Sequence, residues 1–172
     1  MTKQGKKKIS LTKRLLVELE ETAGSIYENG MNTYRWNSVR YPKDVQTMIE
    51  KRKIYHRLKS LERQKFIKLK KEGVEISYKI TNEGWENALR TKILSCEKQL
   101  PEGELCVVAF DFPEKIKGTR MTFRNLLKRA GFRLIQRSVW ESENDVIFEL
   151  TEFVNKIGAQ KYVNVYRAIR LM

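Results

Sequence analysis

Between residues 105 and 141 the chain reads LCVVAFDFPEKIKGTRMTFRNLLKRAGFRLIQRSVWE, and this stretch limits the fold more than any other. It opens with an unbroken apolar run from Leu105 to Phe110. Such a run is short for a helix and the right length for a buried strand. Asp111 ends it, and Phe112-Pro113 turn the chain. A basic amphipathic helix is expected next, with Ile116, Met121 or Phe123, Leu126 and Leu127 on its inner face. Gly131 is a natural residue to close it. Phe132, Leu134 and Gln136 then alternate with Arg133, Ile135 and Arg137, the period of a strand that continues or kinks near Gln136. Val146, Ile147, Leu150, Phe153, Val154 and Ile157 return to helical spacing before Gly158, and residues 162–171 alternate again. Strand, helix, bent strand or strand pair, helix, strand predicts a ferredoxin-like α+β sandwich of βαββαβ type. Its helices would cover one sheet face and leave the other for a partner, which suggests a dimer.

The upstream half has a different rhythm. Residues 1–9 form a basic arm. Leu11, Leu15, Leu16 and Leu19 predict a helix capped by Ser10 and closed by Asn29-Gly30. Tyr34, Trp36 and Val39 suggest a short extended segment, and Pro42 opens a second helix with Val45, Met48 and Ile49 inside. Residues 50–63 give the clearest helix: Ile54, Leu58 and Leu61 form one stripe. Its other face carries Arg52, Lys53, His56, Arg57, Lys59, Ser60 and Arg63. Phe66 to Leu69 reads as a strand, Lys70-Lys71-Glu72-Gly73 as a turn, and Val74, Ile76, Tyr78 and Ile80 as the returning strand. Thr81 or Asn82 caps a last helix with Trp85, Ala88, Leu89 and Ile93. The aromatics Tyr34, Trp36, Trp85 and Trp140 alternate with apolar neighbours and are expected in cores rather than in a base-stacking site.

Charge separates the halves. The chain carries 35 Lys and Arg against 21 Asp and Glu, net +14. Residues 1–98 hold 23 and 12 of these, a net +11, which leaves +3 for residues 99–172. A field of that sign favours a polyanion, most often nucleic acid. Cys96 and Cys106 lack metal-ligand spacing, and His56 does not complete a zinc site with them, so a reducing, cytoplasmic setting is expected. Lys6-Lys7-Lys8 lack the apolar core of a signal peptide, and no run approaches a membrane span.

The order helix, helix, basic helix, hairpin, helix is that of a winged helix-turn-helix. Leu58-x-x-Leu61-Glu62, Phe66-Ile67 and Tyr78-x-Ile80-Thr81-x-x-Gly84 resemble winged-helix transcription regulators over roughly residues 10–95. That resemblance implies that residues 50–63 form a recognition helix and that Lys70 and Lys71 lie on the wing. Further on, Ala109-Phe110-Asp111-Phe112-Pro113-Glu114, Arg120, Leu127, Gly131-Phe132 and Gln136-Arg137-Ser138-Val139-Trp140 resemble the central domain of the phenylacetic-acid catabolism repressor (PaaX-like) family. The block is also similar to the small ferredoxin-fold subunit of the CRISPR spacer-integration complex. In that subunit an Asp at the position of Asp111 is the proposed metal ligand, meeting its mate across a two-fold axis; Glu114 is close enough in sequence to assist. The plain alternative is that Asp111 caps the following loop or helix. Arg124, Lys128, Arg129 and Arg133 read more simply as the outer face of a helix than as a second DNA surface.

The expectation is therefore an N-terminal winged helix-turn-helix DNA-binding domain (residues 10–98), a linker (99–103) and a ferredoxin-like dimerisation domain (104–172). The expected function is sequence-specific binding of double-stranded DNA by a homodimeric transcription regulator, a repressor, with no required cofactor and no membrane contact. DNA contacts are expected from Arg52, Lys53, His56, Arg57, Lys59, Ser60, Arg63, Lys70 and Lys71. The alternative is an enzyme: a Mg²⁺-dependent nuclease or CRISPR-adaptation subunit in which Asp111 is both metal ligand and catalytic residue.

Overall fold

The computed structural model describes residues 9–24, 37–38, 48–73 and 75–171. They belong to two units, Met1–Ala88 and Leu89–Met172.

In the first unit, helix α1 (Leu11–Gly24) starts where Ser10 Oγ accepts the Lys13 N–H at 3.3 Å. Helix α2 spans Met48–Arg63. The helix expected from Pro42 lies outside the described residues apart from Met48 and Ile49, which belong to the first turn of α2. Strands β2 (Ile67–Glu72) and β3 (Glu75–Ile80) form a hairpin, and the short β1 (Asn37–Ser38) pairs with the other side of β3. Leu16, Leu19, Leu58, Leu61, Ile67, Tyr78, Ile80, Trp85 and Ala88 make one core. Leu11 is half-exposed and contributes little to it.

The hairpin is longer than the sequence suggests. Lys70 pairs with Ser77 and Lys71 with Ile76, so both lysines lie in β2 rather than in the turn. Alternation on β3 dictates the partner's length, and the chain reverses at Gly73, whose φ is +59°. Helix α3 (Asn82–Ser95) follows at once. Thr81 Oγ1 accepts the Gly84 N–H at 3.0 Å, so Thr81 is its cap.

The second unit runs β4 (Glu104–Phe110), a 3-10 turn (Glu114–Ile116), α4 (Lys117–Arg129), β5 (Arg133–Gln136), β6 (Val139–Ser142), α5 (Ile147–Lys156), β7 (Val163–Ile169). The sheet order is β5-β6-β4-β7, with every described pairing antiparallel. That is the strand order of a ferredoxin-type βαββαβ sheet. Cys106, Val108 and Phe110 of β4 pack with Trp140 and Val163 against Phe123, Leu126 and Leu127 of α4 and Leu150, Phe153 and Val154 of α5. Phe110 meets Phe123 edge-on at 5.3 Å between ring centres, and Phe112 joins both rings. The bend expected at Gln136 is a hairpin with a register shift between Leu134 and Gln136 and a positive φ of 36° at Arg137.

The segment 99–103, expected as a linker, is hydrogen-bonded into this unit. Leu100 is buried and donates its N–H to Glu143 O at 2.8 Å. Gly103 O accepts the Arg170 N–H at 2.8 Å. Leu89 and Ile93 of α3 share the same core. Among the described residues no helix is long and apolar enough to cross a membrane.

Candidate nucleic-acid interface

Helix α2 owes its position to two leucines. Leu58 and Leu61 are wholly buried, and Ile54 packs partly against the same core. The helical period therefore turns Arg52, Lys53, His56 and Arg63 to solvent, with Arg57 and Ser60 at the margin. Arg52, Lys53, Arg57 and Arg63 make no ion pair with a described residue. His56 lies against the Tyr55 ring, with centroids 6.3 Å apart.

Two of the contacts expected on α2 have other work. Lys59 Nζ donates to Glu62 Oε2 at 2.8 Å, and this bond raises its pKa above the ordinary lysine value. Glu62 Oε1 in turn accepts the Leu69 N–H at 3.2 Å. Glu62 thus ties α2 to strand β2, and Lys59 binds the same carboxylate. Ser60 Oγ accepts a bond from Gln64 Nε2 at 3.2 Å. The sequence shows Lys59 and Glu62 at neighbouring turns; it does not show that Glu62 reaches the backbone of a strand.

The helix ends on a strained residue. Lys65 has φ +62°, its N–H bonds Glu62 O at 2.9 Å, and the Phe66 N–H bonds Leu61 O at 3.0 Å. This is a Schellman closure with lysine where glycine is usual. On the hairpin, Lys68, Lys70 and Lys71 are all exposed, and Lys70 pairs with Glu72 at 2.5 Å. Lys68 was not among the expected contacts, although it alternates with Ile67 and Leu69 and so shares the outer face with Lys70.

Gly84 locks helix α3 onto the start of the hairpin. A Cβ there would stand 2.0 Å from Phe66 O and 2.8 Å from Ile80 Cγ2. Thr81 Oγ1 also lies 2.6 Å from Lys65 O and 3.1 Å from Phe66 O. The Thr-x-x-Gly phrase is therefore a close backbone approach.

In the second unit Asp111 is exposed just beyond β4, its N–H bonded to Tyr162 O at 2.8 Å. Its carboxylate makes no hydrogen bond or ion pair with a described residue, so it does not cap the loop or helix that follows. Glu114 is engaged elsewhere, with Arg120 at 3.1 Å and Lys117 at 3.7 Å. An open cleft of about 530 Å³ beside Asp111 is lined also by Ser138, Lys161, Tyr162 and Asn164.

The family model of the PaaX protein central Cas2-like domain matches residues 99–171. The second unit is thus similar to the central, Cas2-like domain of the PaaX protein. No match to the chain is found among curated proteins.

In this PaaX-type domain most of the motif is packing. Phe112 and Trp140 are buried in the core, and Gly131 closes α4 at φ +85°. A Mg²⁺ ion takes about six oxygen ligands in octahedral array. Asp111 is the one carboxylate lining the cleft, and no group of three His, Cys, Asp or Glu side chains among the described residues could hold a metal. The two thiols are not poised nucleophiles either: burial pushes Cys106 up to about 12 and raises Cys96.

Proposed function

We propose that the protein is a sequence-specific, double-stranded-DNA-binding transcription regulator that acts as a homodimeric repressor. The observation that carries this reading is the two-sided character of α2. One side is fixed in a core by Leu58 and Leu61; the other offers Arg52, Lys53 and Arg63, which have no acidic partner among the described residues, beside an exposed hairpin bearing Lys68 and Lys71. A helix so presented fits the major groove, where arginine can bond guanine through two N–H groups. The hairpin acts as the wing of a winged helix and meets backbone phosphates. The likeness of the second unit to the central domain of the PaaX protein supports a regulator over an enzyme.

The PaaX-type unit serves as the dimerisation platform. Tyr166 and Ile169 on edge strand β7 are large and exposed, which suits a subunit contact. A two-fold dimer requires an inverted-repeat operator. Selection of bound duplexes from a random pool tests both points. The protein should enrich an inverted repeat, and a variant carrying Arg52→Ala and Arg57→Ala should enrich none. Equal enrichment by both proteins would refute the assignment of α2.

A further inference from the structure

The charge count by halves hides a sharper division inside the second unit. Residues 115–140 contain eight Lys and Arg and no Asp or Glu; residues 141–155 contain five Asp and Glu and no Lys or Arg. The acids do not neutralise α4. Glu141 binds Arg133 and Arg170, Asp145 binds Lys98, and Glu104 binds Arg167. Among the described residues Glu114 alone serves α4, at Lys117 and Arg120. Lys115, Arg124, Lys128, Arg129 and Arg137 have no carboxylate partner among the described residues. Arg124 lies 5.9 Å from the centre of the Trp140 ring.

Helix stability does not explain this pattern. Lys128 and Arg129 in the last turn favour the helix dipole, but Lys115 and Lys117 at the other end oppose it. Spacing gives them a different sense. At 100° per residue Lys117, Arg124 and Lys128 fall on one line along α4, with about 16 Å between the first and the last. Phosphates of one DNA strand advance about 3.4 Å each along the duplex axis, so that line spans some five of them. A protein partner would need a broad apolar centre; on α4 Met121 is the one large exposed apolar side chain, and β5 adds only Leu134 and Ile135, set between Arg133 and Arg137.

We propose that α4 and the β5–β6 turn form a second, sequence-independent surface for the phosphate backbone of duplex DNA. This rests on the reading of the protein as a DNA-binding regulator. The test compares two full-length variants with the parent by fluorescence anisotropy on a selected duplex and a scrambled one, across a salt series. Neutralising Lys117, Arg124, Lys128 and Arg137 to Gln should lower the slope of log K against log salt by about 3 to 4, at about 0.9 per phosphate. It should weaken both duplexes by the same factor and leave the melting temperature in place. Neutralising Arg52, Lys53 and Arg57 should instead abolish the preference for the selected duplex. An unchanged slope in the first variant overturns the second surface and leaves the α2 reading intact. An unchanged preference in the second variant overturns the α2 reading, and the first variant still reports on α4.

Discussion

Gly84→Ala separates the packing account from simple helix propensity, because the two disagree in sign. Gly84 lies in the first turn of α3, and replacing glycine by alanine inside a helix normally stabilises by about 1 kcal/mol. Here the new methyl would stand 2.0 Å from Phe66 O and 2.9 Å from Phe66 C, where real Cβ atoms are essentially never found below 3.0 Å. Backbone, not a flexible side chain, must yield by about 1 Å. Overpacking of that kind costs about 1 to 3 kcal/mol. Moving the helix start also strains the Thr81 cap, worth about 0.5 to 2 kcal/mol. Less the propensity gain, the net loss is about 2 kcal/mol. Urea unfolding of the full chain, followed by tryptophan fluorescence and far-ultraviolet dichroism, should show the midpoint fall with little change in slope. A variant as stable as the parent, or more so, would refute the close approach between α3 and the hairpin.

Other consequences are as direct. Tyr78 donates its hydroxyl to Leu19 O at 3.1 Å, and burial pushes its pKa up to about 12 from 10.0. Between pH 10 and 12 the unfolded chain holds the fewer protons at this site, so stability falls as pH rises, by up to about 2 to 3 kcal/mol. Tyr78→Phe should cost about 1 kcal/mol at neutral pH through the lost bond, then narrow or reverse that gap in unfolding curves taken near pH 11; a constant gap would contradict the buried phenol. Lys65→Gly removes a left-handed residue at the end of α2 and should stabilise by about 0.5 to 1 kcal/mol in the same unfolding assay; a loss would mean that the Lys65 side chain matters more than its backbone. Asp111→Asn should bind duplex DNA like the parent, with neither protein cutting labelled RNA or DNA in Mg²⁺. Cleavage that disappears in the variant would restore the nuclease reading.

The second unit was largely legible in the sequence because its elements declare their periods. Leu105 to Phe110 is apolar without interruption, Leu126-Leu127 and Leu150-Phe153-Val154 repeat as helices do, and Gly131 and Gly158 mark where each helix stops. What escaped depends on contacts between distant residues. Residues 99–103 look like a linker by composition, yet hydrogen bonds to Glu143 and Arg170 fix them. Lys70 and Lys71 look like a turn, yet cross-strand partners extend β2 past them. At the candidate interface the sequence supplies the cationic face of α2. It does not show that Lys59 is spent on Glu62, because that bond matters only once Glu62 also holds Leu69 of the next strand. The acid-free run of residues 115–140 is visible in the sequence, but its meaning depends on which cations the later acids reach.

The central claim is that α2 and its hairpin bring this protein onto duplex DNA. Salt-dependent binding to the selected inverted repeat measures it most directly. With six or more phosphates contacted, log K should fall against log salt with a slope of about −5 or steeper. The Arg52, Lys53 and Arg57 variant should bind the selected and scrambled duplexes equally. Binding that is absent, or indifferent to salt, would contradict the account.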